Sequence, residues 1–154
     1  MNQEQLIKSL EQIKYIRVGI LGDFCLDVYW EVSQDEKNIS VETLKFINQV
    51  SSQKCSLGGA GNLALNIKDL NVSEVKLFGI IGDDLFGREL LNIMKNNRLN
   101  TDGIITQNKK WLTNVYIKPM IGQQEQNRFD LGFKNEALVD SQDLVLAQLE
   151  KSLL

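Results

Sequence analysis

The sequence predicts an α/β protein in which helices flank a parallel β-sheet. Three runs have the apolar, β-branched composition of buried strands: YIRVGIL at 15–21, VKLFGII at 75–81 and GIIT at 103–106. Segments with apolar residues three to four positions apart, the spacing of a helix face, lie between these runs. Alternation of strand and helix is typical of a parallel sheet covered by helices, and 154 residues suffice for one domain with a real core.

Composition and charge narrow the class of protein. The chain is 43% hydrophobic and 24% charged, with a net charge of −3, as in an ordinary globular protein. No basic tract predicts nucleic-acid binding, and no apolar run approaches the roughly 18–20 residues of a membrane span. The N-terminus does not read as a secretory signal. Histidine is absent, and Cys25 and Cys55 are not spaced as metal ligands, so we expect buried thiols, no metal site and a cytoplasmic location.

The first third of the chain predicts a helix, a strand and a polar excursion. Leu6, Leu10 and Ile13 recur at helical spacing within 3–13. The strand that follows ends at a glycine and an aspartate, which indicates a turn. Beyond this turn lie a loosely alternating stretch, a polar flap and another extended run, at 24–33, 33–43 and 44–50.

A glycine-rich segment, LGGAGNLALNIKDL at 57–70, leads into the next helix. Gly58, Gly59 and Gly61 allow positive φ and a close approach of the backbone to a ligand. The start of a helix also presents unpaired N–H groups, and Asn62 adds an amide that donates and accepts. The segment predicts a backbone-lined floor for a small polar ligand. The alternative from the residues alone is a flexible loop before a surface helix.

The second half repeats the alternation and adds a hairpin. The strand at 75–81 ends at Gly82, after which Asp83 and Asp84 are expected to cap the following helix. Two extended runs around the polar GQQEQN segment predict a hairpin, and 140–142 start the last helix. The apolar faces expected for the three later helices are Leu63, Ile67 and Leu70; Leu90, Leu91 and Met94; and Leu144, Leu146 and Leu149.

Taken together, these motifs resemble those of the ribokinase-type (pfkB) sugar kinases, and most of all the branch that phosphorylates heptose 7-phosphate at the anomeric hydroxyl. The resemblance rests on ILGDFCLDVYW at 20–30, LGGAGNLALNI at 57–67, GIIGDDLFG at 79–87 and the hairpin from Thr113 to Asp130. It implies a ribokinase-like fold in which 1–154 is a single partial domain. The excursions at about 28–55 and 111–133 would form a small β-sheet lid.

The resemblance implies an ATP- and Mg²⁺-dependent kinase acting on a sugar or sugar phosphate in the cytoplasm, with a homodimer formed through lid strands. The family's Gly-Ala-Gly-Asp turn, which supplies the catalytic base and an anion hole, is absent from this sequence together with the ATP-binding half. We therefore expect no catalytic or metal-binding residue here and no kinase activity from 1–154 alone. Asn71 replaces a family glycine but tolerates a left-handed helix C-cap, and Gly132 replaces a polar lid residue.

Six residues are implied to bind substrate. Asp27 and Asn62, with the backbone of Gly58 and Gly59, would contact sugar hydroxyls; the alternatives are a turn-capping aspartate and a simple helix N-cap. Arg128 and Asp130 on the hairpin would touch substrate, with Arg128 as a planar fork on a sugar phosphate; the alternative is a cross-strand surface pair. Asp23 reads equally well as a turn residue.

Two other functions fit parts of the sequence. Gly59-x-Gly61-x-x-Ala64 loosely matches a dinucleotide-binding fingerprint, but that fingerprint must directly follow the first strand, and SSQKCS at 51–56 does not read as a strand. The chain could instead be a non-catalytic sugar-binding or regulatory protein that reuses half of a kinase fold. An open reading frame that ends at Leu154 would favour that reading, whereas a longer frame would favour a truncated enzyme.

Overall fold

The computed structural model describes residues 2–153, with the side chains of 34–37 excepted. Four helices and eight strands alternate along this part of the chain. In order they are α1 Gln3–Ile13, β1 Arg17–Leu21, β2 Phe24–Ile39, β3 Phe46–Gly58, α2 Gly59–Asp69, β4 Glu74–Gly82, α3 Leu85–Asn96, β5 Asn100–Gln107, β6 Asn114–Ile121, β7 Gln124–Glu125, β8 Phe129–Leu131 and α4 Val139–Leu153. None of these helices is both long and apolar enough to cross a membrane.

The predicted parallel sheet is confirmed and consists of three strands in the order β1-β4-β5. Ile20 of β1 lies opposite Leu77 of β4, and Gly79 of β4 lies opposite Ile104 of β5. The middle strand, β4, is the most deeply buried of the three. The helices α2 and α3 connect into and out of it, as the strand–helix alternation predicts.

A second sheet is built from the two excursions. Its strands lie in the order β3-β2-β6-β7, and β8 also pairs with β6. β2 is antiparallel to β3 but parallel to β6, so the hairpin β2–β3 and the later strand β6 meet from distant parts of the chain. The predicted hairpin after Trp111 is present, with both β7 and β8 antiparallel to β6.

Two segments that looked unlike strands are strands. β2 runs on to Ile39, where the polar composition of 33–43 predicts a flap, and 51–56 lies within β3. Strand pairing needs only backbone groups, and β3 is an edge strand whose side chains are exposed over most of its length. Polar residues are therefore tolerated there without loss of pairing.

The hydrophobic core lies where β4, β2 and β6 face α2 and α3. Leu90 and Met94 of α3 are fully buried, which confirms the apolar face expected for that helix. The residues exposed by less than 2% with the largest side chains are Phe24, Phe78, Leu26, Leu77, Ile81, Leu90, Met94, Val28, Val115 and Thr113.

The expected apolar faces of α2 and α4 are confirmed only in part: Ile67 and Leu149 are half-buried, and Ile67 packs against the core. In α2, Leu63 and Leu70 are about half exposed, whereas Gly61 and Ala64 are buried. The reason is close packing: a Cβ on Gly61 would lie 3.0 Å from Leu57 Cβ, so small residues bring this helix onto the adjoining strand. In α4, the buried residues are Ser141 and Val145, while Leu144, Leu146 and Leu153 are exposed, and Leu154 lies outside the described residues.

The first strand is much less buried than its composition predicts. Only Ile20 of the five β1 residues is buried, and Leu21 is 61% exposed. β1 forms one edge of the parallel sheet, and α1, which precedes it, has no buried residue within the described chain. Apolar composition predicts a buried strand, but β1 is exposed because it lies at an uncovered edge of the sheet.

Candidate functional site

The candidate site lies where both sheets meet the start of α2. The turn Gly22-Asp23 connects β1 of the parallel sheet to β2 of the second sheet, and Gly58-Gly59 connects β3 to α2. The two turns are joined because the Ala60 N–H donates to the Asp23 carbonyl at 3.0 Å. The carboxyl end of a parallel strand, where ligands bind in α/β sheets, is therefore next to a helix N-terminus.

The glycines of this turn have no room for a side chain. Gly59 has φ +52°, and a Cβ there would lie 2.7 Å from the Asp23 carbonyl oxygen. A Cβ on Gly58 would lie 2.7 Å from Cys25 Sγ and 3.0 Å from one carboxylate oxygen of Asp27. Gly58 occupies the N-cap position of α2, so Asn62 is not the N-cap, and its side chain is exposed in the first turn of the helix.

Asp27 is an ion-paired strand residue and not the turn cap of the alternative reading. It lies within β2, opposite Ser56 of β3 and Tyr116 of β6. Its Oδ1 accepts a hydrogen bond from Lys118 Nζ at 2.8 Å, and the Asp27 side chain is only 21% exposed.

Lys118 is the site residue that sequence reasoning missed. Its Nζ also lies 3.2 Å from the Tyr29 hydroxyl and 4.8 Å from the centre of the Tyr29 ring. Burial by itself lowers the pKa of Lys118, but the hydrogen bonds to Asp27 and Tyr29 outweigh it and raise the pKa above its usual value, so the ammonium stays charged. The alternation in NVYIKPMI already places Tyr116 and Lys118 on one face of β6. Only the register identifies their partners.

Arg128 and Asp130 form a local pair and not the cross-strand pair of the alternative reading. Arg128 Nε and Nη2 donate to the two Asp130 oxygens at 2.7 and 2.9 Å. The Arg128 guanidinium lies 4.9 Å from the centre of the Tyr116 ring. The hydrogen bond to Asp130 raises the pKa of Arg128 further.

The register brings Asp27 and the Arg128–Asp130 pair to one face. Tyr116 of β6 lies opposite Asp27 on one side and opposite Asp130 on the other. Paired residues in neighbouring strands point to the same face of a sheet, so Asp27, Tyr116 and Asp130 form a row across β2, β6 and β8. This face presents carboxylates, cations and a phenol ring beside the glycine turn.

Cys25 is an inert component of the site. It is 4% exposed, and both cysteines are free thiols, with Cys55 half-buried. Burial, together with the nearby Asp27 and Asp23 carboxylates, raises the pKa of Cys25 to about 11. A thiol protonated at neutral pH is a poor nucleophile, so Cys25 packs as a small apolar group.

A groove of about 570 Å³ adjoins the site on the side of Asp23. It runs from the ends of β1 and β4 to α4, and Asn114, which lines it, donates to Asp23 Oδ1 at 2.6 Å. Asp23 is thus a structural partner of Asn114 at the border of the groove. Asp27 and Asn62 do not line it, so the predicted sugar contacts lie next to this groove and not in it.

Of the two aspartates after β4 that were predicted to cap the next helix, only Asp84 does so. Asp84 is the N-cap of α3 and accepts from the Gly87 N–H, and Asp83 pairs with Arg88. Within the described chain, no three acidic, cysteine or histidine side chains come together in a group that could hold a metal ion.

The fold is ribokinase-like. The structure superimposes on a fructokinase from Xylella fastidiosa with a TM-score of 0.55 at 18% identity, covering 80% of this chain and 36% of that one. It also superimposes on a nucleoside kinase of the ribokinase family from Methanocaldococcus jannaschii with a TM-score of 0.52 at 24% identity, covering 75% and 36%. These likenesses establish the architecture of a partial ribokinase-like domain.

The family follows from the sequence match. Residues 26–151 match the model of the pfkB family of carbohydrate kinases. The chain belongs to this family. It is 33% identical over 141 residues to the bifunctional protein HldE of Haemophilus influenzae (strain PittEE), covering 92% of this chain, and 33% identical over 111 residues to HldE of Helicobacter pylori (strain P12), covering 71%. It spans 28% and 23% of the length of these two relatives.

The dinucleotide-binding alternative fails on topology. A strand does precede the glycines, contrary to the sequence-based expectation, but this strand is β3 of the second sheet, and the helix α2 then leads to β4 of the parallel sheet. The fingerprint requires a βαβ unit whose two strands belong to one parallel sheet. β3 and β4 do not form such a unit.

Proposed function

We propose that this chain is the sugar-binding part of an ATP-dependent kinase that transfers a phosphoryl group to a hydroxyl of a sugar or sugar phosphate, with heptose 7-phosphate as the candidate acceptor. Membership of the pfkB family supports the general activity. The proposal rests mainly on one observation: a partly buried carboxylate, Asp27, lies directly over the backbone of Gly58 at the start of a helix.

The roles follow from the chemistry of the groups. An ionised carboxylate accepts hydrogen bonds from two neighbouring sugar hydroxyls, and its low exposure strengthens them. Gly59 exposes backbone at the start of α2, whereas Gly58 is buried against Cys25 and Asp27. The exposed Asn62 amide in the first turn of α2 both donates to and accepts from hydroxyls. Together these groups hold the acceptor hydroxyl for phosphoryl transfer.

Arg128 is the proposed partner of a phosphate already on the sugar. Its guanidinium lies 4.9 Å from the centre of the Tyr116 ring and is hydrogen-bonded to Asp130, in the row of residues that includes Asp27. A planar fork of N–H donors suits phosphate geometry. A phosphate would share Arg128 with Asp130, which is 40% exposed and able to turn toward solvent.

Family membership supports a role for ATP and Mg²⁺, and we propose that the reaction is cytoplasmic. When bound, they supply the phosphoryl group and neutralise its charge. The residues described here bind and orient the acceptor, and the second sheet covers it as a lid that excludes water. We further propose a homodimer through the lid, because the edge strand β3 exposes Phe46, Ile47 and Val50. The chain 1–154 by itself is expected to produce no ADP in a sugar-dependent assay.

The test is calorimetric titration of the complete encoded protein with heptose 7-phosphate and, separately, with ATP. Asp27→Asn keeps the size of the side chain and removes its charge, so sugar affinity should fall by about 10-fold to 100-fold, equivalent to about 1–3 kcal/mol, with ATP affinity unchanged. Asp102→Asn, an exposed position on β5, is the matched control.

Equal losses for sugar and ATP in Asp27→Asn would show that Asp27 is structural and would contradict the proposed site. Sugar binding by a complete protein that produces no ADP would instead establish the alternative function, a non-catalytic sugar-binding half-kinase.

A further inference from the structure

We propose that Lys118 is a positioning residue, which holds the Asp27 carboxylate so that one of its oxygens faces the glycine turn and remains available to substrate. The inference rests on the proposed function, in which Asp27 binds the sugar. It assigns a role to a residue on β6, far from both the glycine turn and β2 in the sequence.

The two oxygens of Asp27 have different surroundings. Oδ1 accepts from Lys118 Nζ at 2.8 Å. Oδ2 is the oxygen that would lie 3.0 Å from a Cβ on Gly58, so it faces the backbone of the glycine turn. The two oxygens therefore differ in role: Oδ1 is bonded to Lys118, and Oδ2 faces the glycine turn.

Lys118 is itself held in place. The Tyr29 hydroxyl lies 3.2 Å from Nζ, and the ammonium lies 4.8 Å from the centre of the Tyr29 ring. Register explains this contact: Lys118 lies directly opposite Tyr29 in the parallel pair β2–β6, and Asp27 is two residues away on the same face. The Lys118 side chain is only 16% exposed, so water competes weakly for the ion pair.

Removal of this cation would leave Asp27 in unfavourable surroundings. Lys118 is the cation bonded to the Asp27 carboxylate, and the Asp27 side chain is only 21% exposed. A partly buried carboxylate that has lost its counter-ion gains by turning toward water. Oδ2 would then leave the glycine turn, and the sugar contact would be lost although Asp27 is still present.

The experiment compares Lys118→Met, which keeps the length of the stem but removes the charge, with Lys118→Arg, which keeps the charge. Three-bond couplings from the Asp27 carboxyl carbon to its backbone nitrogen and carbonyl carbon, measured on protein labelled in aspartate, report the χ1 rotamer. Titration with heptose 7-phosphate is measured on the same samples. Lys76→Met is the matched control, because Lys76 is also half-buried and its ammonium also lies over an aromatic ring, 5.6 Å from that of Phe78.

We expect the couplings of Asp27 to report one rotamer in the native protein, Lys118→Arg and Lys76→Met, and averaging in Lys118→Met. Affinity for heptose 7-phosphate should fall on the order of 10-fold in Lys118→Met and be restored largely in Lys118→Arg. A single Asp27 rotamer in Lys118→Met would overturn the positioning role. Averaged couplings in a protein whose native form binds no sugar would support positioning and refute the proposed function, so the two failures are distinguishable.

Discussion

Two glycines with similar positive φ angles show how one residue position constrains the site. Gly59 has φ +52° and Gly122 has φ +61°, values that L-residues other than glycine rarely adopt. At Gly59 an added Cβ would meet the Asp23 carbonyl oxygen at 2.7 Å, whereas at Gly122 it would meet no described atom within 4 Å. The first glycine is required by both conformation and space, the second by conformation alone.

Gly59→Ala should therefore destabilise the protein more than Gly122→Ala. We expect Gly122→Ala to lower the free energy of unfolding by about 1 kcal/mol, the cost of a left-handed alanine, and Gly59→Ala to lower it by at least about 2 kcal/mol more, because the turn must also shift. Urea denaturation followed by circular dichroism measures both. Equal losses would mean that the glycine turn relaxes freely and is not a rigid floor.

Residue identity alone could not predict the Asp27–Lys118 pair. The two residues are 91 positions apart, and only the parallel register of β2 and β6 brings them together. The glycine turn and the Asp84 cap could be predicted, because in both cases the determining residues are neighbours in the sequence. Sequence reasoning finds local chemistry and misses partners that depend on sheet register.

At the scale of elements, one carboxylate ties a helix to a strand. Asp84 Oδ1 accepts from the Gly87 N–H at 2.8 Å as the N-cap of α3, and Oδ2 accepts from the Thr113 N–H, also at 2.8 Å. The Thr113 hydroxyl in turn accepts from the Gly82 N–H at 3.0 Å. The end of β4, the start of α3 and the start of β6 are joined through these three bonds.

Asp84→Ala should lower the free energy of unfolding by about 2–4 kcal/mol. The lost cap accounts for about 0.5–2 kcal/mol. The Thr113 N–H would also lose its partner, and because Thr113 is only 1% exposed, this loss accounts for about 1–3 kcal/mol. Asn2→Ala removes the capping box of α1, which has no buried residue among those described, and should change global stability by less than about 0.5 kcal/mol. Both are measured by urea denaturation. Comparable losses would mean that α1 packs on the protein in solution.

Element types could be predicted better than element faces. Leu63 and Leu70 have helical spacing, yet α2 packs through Gly61 and Ala64, because the approach of its backbone to Leu57 selects small side chains. The spacing of hydrophobic residues cannot predict that a glycine is buried while a leucine in the same helix is exposed. The strand 51–56 was missed for a related reason: its polar side chains lie on an edge, where backbone pairing alone holds it.

At the scale of the whole molecule, the chain exposes more surface than its mass requires. Its accessible surface is 10659 Å², whereas a compact monomer of 17.5 kDa exposes about 7,900 Å². Many large apolar side chains are exposed. The large apolar residues with the highest exposed fractions are Val41, Leu44, Leu153, Phe133, Tyr15, Leu85, Val139, Phe46 and Leu21.

We therefore expect 1–154 to self-associate. Exposed apolar surface together with the open edges of β1 and β3 favours pairing between chains. Light scattering should give a mass above 17.5 kDa, and a dye specific for apolar surface should bind. A monodisperse monomer with a sharp thermal transition and no dye binding would contradict this and would show that 1–154 is a self-sufficient domain.

The parallel pairing of β2 with β6 also sets an order of folding. The hairpin β2–β3 is formed from neighbouring segments, but β6 joins it only after the chain between them has closed a long loop, and such closure is entropically costly. The second sheet should therefore complete late and open early. In native-state hydrogen exchange, amides of β6 that pair with β2 should lose protection before those of β4, and the Asp27–Lys118 pair would be the last part of the site to assemble.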